Sequence, residues 1–175
     1  MHHLVMRRPH LRDLPPVNPL PPGYELRLAA GDDDLAPLAA TLTAAFDDPW
    51  DADRVRRSLT EAPDVPAVYV VAWRGRPVAT ASSRWLPARF PDAGVVHWVA
   101  THPEHARRGL GAALVAHVLH DFVGRGHDAA ALETDEYRIP ALRTYLRAGF
   151  LPDYEVAGED HRARWSAAMP GVLGS

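Results

Sequence analysis

His105-Ala106-Arg107-Arg108-Gly109-Leu110-Gly111-Ala112 is the stretch on which the reading of this chain turns. Before it runs Ala93–Thr101, rich in Val and Trp and strand-like in character; after it comes a helical pattern from Gly109 to about Val123. At about 100° per residue, Leu110, Leu114, Val115, Val118, Leu119 and Phe122 occupy one half of that helix. The glycines let the backbone turn tightly and approach a ligand, where the first amides of the helix have no internal acceptor. Those amides and the helix dipole make an anion site, to which Arg107 and Arg108 add fixed charge. In isolation, an ordinary strand-to-helix turn with glycines for packing reads the same way. A dinucleotide fingerprint would need a third glycine where Leu114 stands, and would follow a first strand rather than fall past the midpoint of the chain.

Working outward, Tyr24–Leu28 alternates with a strand's period, and Gly31-Asp32-Asp33-Asp34 supplies helix-capping acids. Leu35, Leu38, Leu42, Ala45 and Phe46 then recur at helical spacing, and a short second helix covers Ala52 to Glu61. Ala67–Trp73 and Pro77–Trp85 are β-rich runs joined by a hairpin at Arg74-Gly75-Arg76. Beyond the long helix lie a strand at Asp128–Thr134 and a helix at Ile139–Ala148, with Pro140 in its first turn and Gly149 after its end. Two weaker strand signals follow, at Tyr154–Ala157 and Arg162–Ala168. The order β-α-α-β-β-β-α-β-α-β-β predicts an α/β domain with a mixed sheet. Residues 1–23, with six prolines and almost no periodicity, read as a Pro-rich arm before a domain over 24–175. The arm's Leu4, Leu11, Leu14, Val17 and Leu20 suit either docking on the domain surface or a mobile tail.

Composition narrows the chemistry. The 175 residues suit one domain, and the 47% hydrophobic content is too high for a disordered chain. There is no Cys and no Lys; all 19 basic residues other than His are Arg. Thiolate nucleophiles, Cys-ligated zinc, Schiff bases and Lys-dependent phosphate loops are therefore excluded. Phosphate must be met by Arg, backbone N–H groups or a helix N-terminus. A net charge of -3 offers no footprint for nucleic acid. No targeting segment or membrane-length apolar run is visible, so a cytoplasmic protein without membrane contact is expected.

A second constellation is Arg138-Ile139-Pro140-Ala141-Leu142-Arg143-Thr144-Tyr145-Leu146-Arg147-Ala148-Gly149-Phe150. Ile139, Leu142 and Leu146 share a core face, and Tyr145 is rotated about 100° from Leu146, where it can face a cleft and donate a proton. Together the two segments resemble the GNAT superfamily of acyl-CoA-dependent N-acetyltransferases. The signature (Gln/Arg)-x-x-Gly-x-(Gly/Ala) is matched by Ala106–Gly111 with Ala first, and Asn-x-x-Ala-x-x-x-Tyr-x-x-x-Gly-Phe by Arg138–Phe150 with Arg first. The element order agrees from about Tyr24 onward.

The resemblance implies a mixed, mostly antiparallel sheet with helices on both faces. The family's fourth and fifth strands, here Ala93–Thr101 and Asp128–Thr134, would splay. It implies that the amides of Arg107, Arg108, Gly109, Leu110, Gly111 and Ala112 cradle the pyrophosphate of acetyl-CoA. Val99, Ala100 and Thr101 would bond the pantetheine arm and acyl carbonyl, and Arg138 stands where the family has a cofactor-contacting Asn. Tyr145 would protonate the departing thiolate while an amine attacks directly. The expected activity is acetyl transfer to a primary amine of a small molecule; a non-catalytic acyl-CoA-binding or regulatory module on the same fold is the alternative.

Direct attack needs a neutral amine. His97 is the only titratable side chain between Gly94 and Thr101 and is the expected base or water-orienting group, with Glu133 as the alternative. The acceptor pocket of such enzymes corresponds here to Phe46–Asp53 and Gly158-Glu159-Asp160-His161, whose acids and aromatics would favour a cationic amine. The pairs His102/His105 and His117/His120 lack a completing carboxylate or Cys at ligand spacing, so no metal is expected. A homodimer remains open.

Overall fold

The computed structural model describes residues 3–156 and 159–170. Its centre is a seven-stranded sheet in the order β2-β3-β4-β5-β6-β1-β7. These strands are β1 (Leu4–Arg8), β2 (Tyr24–Leu28), β3 (Ala67–Trp73), β4 (Arg76–Arg84), β5 (Ala93–Thr101), β6 (Ala129–Thr134) and β7 (Leu151–Asp153). Every pairing is antiparallel except β5 with β6. The β3–β4 hairpin closes through Arg74 and Gly75, both at positive φ (50° and 81°), a two-residue turn whose twist matches the strands it joins.

Alternating side chains of β3 show the layering. Val68 and Val70 pack with Leu35, Leu38 and Leu42 of α1 (Leu35–Phe46) and with Val55 of α2 (Ala52–Val55), which continues as a π-helical turn to Thr60. Tyr69 and Val71 face the opposite way, onto Leu114, Val118 and Phe122 of α3 (Leu110–Gly124) and Leu142 of α4 (Ile139–Arg147). Helices therefore cover both faces, and the apolar half of α3 read from the sequence is the half that is buried. Gly94 lets β5 lie against the Phe122 ring: a Cβ there would meet it at 2.5 Å.

The N-terminal segment differs from an arm outside the sheet. Leu4–Arg8 is an inner strand, antiparallel to β6 on one side (Leu4 opposite Thr134) and to β7 on the other (Val5 opposite Asp153). Leu4, Val5 and Met6 are fully buried, because an inner strand of a sheet covered on both faces has no polar side. Arg8, also buried, donates to the carbonyls of Ala148 (2.5 Å), Arg12 (3.2 Å) and Asp13 (3.1 Å). Its positive charge thereby sits at the C-terminal end of α4. Gly149, at φ 85°, leaves the space that this guanidinium fills.

The C-terminal expectations are corrected too. Arg162–Ala168 is not a strand but a helix, α5, anchored by the buried Trp165 and built from Arg and Ala, which favour helix. Tyr154–Ala157 reduces to a two-residue strand, β8 (Glu155–Val156), paired with β9 (Glu159–Asp160); Ala157 lies outside the described residues, as do 171–175 of the expected domain span.

Truncating Met6 to Ala tests the placement of β1. Burial in the core predicts a loss of about 2–5 kcal/mol in urea unfolding, whereas a segment outside the core would leave stability within about 0.5 kcal/mol.

Candidate active site

The site begins where β5 and β6 stop pairing. Their parallel ladder runs only from Ala93 opposite Ala129 to Val96 opposite Leu132. On its other edge β5 carries a bulge: Thr80 pairs with Ala100 and Ser82 with His97, so Ala81 alone faces Trp98 and Val99. Trp98 takes a positive φ of 47°, a costly conformation for a bulky residue. Packing sustains it, since the indole meets Trp50 (4.7 Å, 82°) and Phe46 (5.0 Å, 90°) edge to face.

The divergence leaves a cavity of about 530 Å³. His97, Val99, Arg138 and Tyr145 line it, together with Glu133, Asp48 and His3. Of the residues expected at the site, then, Tyr145 and His97 are brought together with Val99 and Arg138. Ala100 instead packs beneath α1, and Thr101 pairs with Ala79 at the far end of the ladder. The Arg107–Ala112 turn also lies outside the cavity lining.

That turn has the form its sequence implied. Arg107 and Gly109 adopt positive φ (60° and 78°), and the first intrahelical bond is Ala113 N–H to the Gly109 carbonyl at 3.0 Å. The amides of Leu110, Gly111 and Ala112 thus have no acceptor within the helix. A Cβ at Gly109 would meet nothing within 4 Å, and one at Gly111 only the Thr101 hydroxyl at 3.7 Å, so a phosphate can approach the backbone closely. Arg107 and Arg108 are exposed. The donor set fits a pyrophosphate. Sequence reasoning missed what holds the turn: His105 bonds the Tyr24 hydroxyl at 2.7 Å through Nδ1 and sits 6.2 Å from the Trp73 ring.

Tyr145 is 6% exposed, and burial pushes its hydroxyl up to about 12, partly offset by the nearby Arg138 charge. It is a protonated phenol throughout the neutral range, and the hydroxyl has no hydrogen-bond partner among the described residues. Arg138 lines the cavity: it donates to the Ala45 carbonyl (3.0 Å), lies 4.0 Å from the Phe46 ring and approaches Asp135 at 3.4 Å.

His97 is a poor proton acceptor in this setting. A guanidinium only donates, so the 3.1 Å contact between Arg84 and His97 Nε2 occupies the imidazole lone pair. Burial first, then the Arg84 charge, lower its pKa to about 3, with Asp64 opposing. Nδ1 must then carry the hydrogen, and it is buried without a partner. Glu133, the alternative, receives a 2.5 Å bond from Arg89.

Of the acids expected to recognise a cationic amine, only Asp48 reaches the cavity among the described residues, and it pairs with Arg54 at 2.7 Å. Asp51 caps α2, Asp53 pairs with Arg56, and Asp160 accepts from the Arg162 amide. Gly158 lies outside the described residues, and His161 is buried. Among the described residues no group of three metal-binding side chains occurs, and no helix is long and apolar enough to cross a membrane.

Comparison with known proteins agrees with this architecture. The acetyltransferase (GNAT) family model matches residues 35–150. A mycothiol acetyltransferase of Tsukamurella paurometabola is 31% identical over 160 residues, covering 84% of this chain and 54% of the relative. One from Streptomyces scabiei is 31% identical over 153 residues, covering 83% and 49%. The chain spans about half the length of the curated relatives it matches. Among solved structures, a GNAT-family acetyltransferase of Novosphingobium aromaticivorans superposes with a TM-score of 0.60 at 28% identity, covering 86% of this chain and 59% of that one. A GCN5-related N-acetyltransferase of Sphaerobacter thermophilus shares the fold alone, with a TM-score of 0.67 at 22% identity over 86% of this chain and 48% of that one. By its two motifs, its splayed sheet and the family match over most of its length, the chain belongs to the GNAT acetyltransferase family.

Proposed function

We propose that the chain transfers an acetyl group from acetyl-CoA to a primary amine of a small molecule by direct attack. The observation that carries this reading is the cavity at the β5–β6 divergence, where the unpartnered Tyr145 hydroxyl meets a strand edge relieved of its ladder. The free amides of Leu110–Ala112, with Arg107 and Arg108, bind the pyrophosphate, and the open edge of β5 at Val99–Thr101 bonds the pantetheine arm and acyl carbonyl. The curated relatives are named as mycothiol acetyltransferases, which supports the acetyl-transfer reading.

In the transfer, the amine nitrogen forms its bond to the acyl carbon and the carbon–sulfur bond breaks with its electron pair on sulfur. Tyr145 donates its phenolic proton to that sulfur, and the second proton lost by the amine nitrogen restores the phenol through water. His97, neutral with its lone pair held by Arg84, acts as a hydrogen-bond donor through Nδ1 and orients water or the acceptor rather than taking a proton.

Acetyl-CoA should raise the melting temperature, and free thiol should appear when an amine panel is added, without background from this Cys-free chain. Thermal stabilisation without thiol release would favour a non-catalytic acyl-CoA module. Tyr145→Phe should lower kcat on the order of 100-fold while keeping the stabilisation by acetyl-CoA; unchanged kcat would remove the acid role.

His97 makes a separate prediction. Its folded value near 3 lies below the ordinary 6.5, so between those pH values the unfolded chain binds more protons. Stability should therefore fall as pH drops through that window. His97→Gln, which can still accept from Arg84, should show a smaller loss of melting temperature between pH 7.5 and 4.5 than the parent; an equal loss would contradict the buried neutral imidazole.

A further inference from the structure

The proposed transfer lacks a group to take the proton of an ammonium acceptor, and neither His97 nor Glu133 is free to do so. β1 supplies another histidine. His3, the residue immediately before that strand, lines the same cavity as Tyr145. Its Nδ1 lies 3.0 Å from Asp135 Oδ1, just beyond the end of β6.

An ionised carboxylate only accepts, so the hydrogen in this bond is on Nδ1 and the lone pair of neutral His3 is on Nε2. Nε2 has no partner among the described residues. The two cavity histidines therefore share a tautomer but differ in availability: Arg84 holds the lone pair of His97, whereas that of His3 is open. Asp135 Oδ2 in turn accepts from the Tyr137 hydroxyl (3.1 Å) and lies 3.4 Å from Arg138 Nε, whose charge faces it without a hydrogen bond. A carboxylate held this way orients the ring and stabilises the imidazolium that forms when Nε2 takes a proton. The His3 side chain is 39% exposed, which lets that proton pass on to solvent.

We infer that His3 is the general base of the transfer and Asp135 its positioning residue. This rests on the acetyl-transfer reading above. Nε2 removes a proton from the acceptor's ammonium group, leaving the nitrogen lone pair for attack, and the imidazolium releases the proton to water. The proton that Tyr145 gives to sulfur is a different one, so the two residues have separate duties. The charged groups sharing the cavity are Asp48, Arg84, Glu133, Asp135 and Arg138, beside the neutral His97 and Tyr145, with Asp153 on β7 opposite Val5. Asp48, Glu133 and Arg84 are each paired with a counter-ion, Arg54, Arg89 and Asp64 respectively. Asp135 is the carboxylate bonded to the ring.

The test is the pH dependence of free-thiol release from acetyl-CoA with the best amine of the panel, for the full chain and for His3→Gln. The variant should lose on the order of 100-fold in kcat/KM at pH 7. The defect should shrink towards pH 10, where an alkylammonium, with a pKa of about 10.4, deprotonates unaided. Stabilisation by acetyl-CoA and the urea midpoint should be those of the parent. Asp135→Asn should show a smaller loss with the same trend. A His3→Gln profile equal to the parent's, or a loss independent of pH, overturns the assignment. Should His3→Gln shift the urea midpoint, His3→Ala with added imidazole replaces it: recovery at neutral pH supports the base, and no recovery overturns it. A parent chain that releases no thiol with any amine overturns the acetyl-transfer reading and this inference together, an outcome distinct from a defect confined to the variants.

Discussion

The site depends on a parallel ladder that ends after four residues. β5 and β6 are held together from Ala93 to Val96 by backbone bonds, by α3 on one face and by Leu86 and Phe90 on the other, and then part. What keeps them apart is on the other edge of β5, where the extra residue of the bulge turns Trp98 into the aromatic cluster of Phe46 and Trp50. Left-handed backbone at a tryptophan is unfavourable, and three packed rings offset it. The free strand edge and the cavity that Tyr145 lines follow from that local compromise.

Around this opening the charges are organised by arginine. Arg54, Arg84 and Arg89 each engage a carboxylate, and Arg138 adds a backbone carbonyl and the Phe46 ring to its contact with Asp135. In a chain without Lys, guanidinium does what either base does elsewhere, and its fork lets one side chain hold two partners. Arg84 illustrates the result, binding Asp64 through Nε and His97 through a terminal nitrogen. The same contact that anchors His97 removes it from proton chemistry. Residue type alone therefore does not identify a base; which lone pair is occupied does.

Much of this was legible in the sequence. The α3 stripe and the glycine turn before it follow from periodicity and spacing, because each is a local property of one helix or its first turn. On α4, by contrast, it is Tyr145 that is buried with Leu142, and Ile139 and Leu146, expected on the core face, are only partly buried. The strand at Leu4–Arg8 was not legible. Five residues ending in two arginines, followed by a proline, carry neither alternation nor length, and an inner strand has no polar face to reveal it. Arg162–Ala168 misled for the converse reason, since a single buried Trp165 sets no period. The bulge at Trp98 and the meeting of His3 with Asp135 depend on pairings across the sheet, and no local pattern encodes them.

The position of β1 also bears on how the chain reaches this state. Leu4–Arg8 leaves a ribosome well before its sheet neighbours, Ala130–Thr134 and Leu151–Asp153, which lie far along the chain. Until both have emerged, β1 has open edges, and apolar Leu4, Val5 and Met6 have nowhere to pack. Pairings this far apart in sequence impose a large loop-closure entropy and slow the final assembly. An open strand edge waiting for a partner is also where a second nascent chain can bind. Closing the sheet and bringing His3 to Asp135 are then one late event, so a chain trapped before it would have a formed Arg107–Ala112 turn and a cavity wall still incomplete.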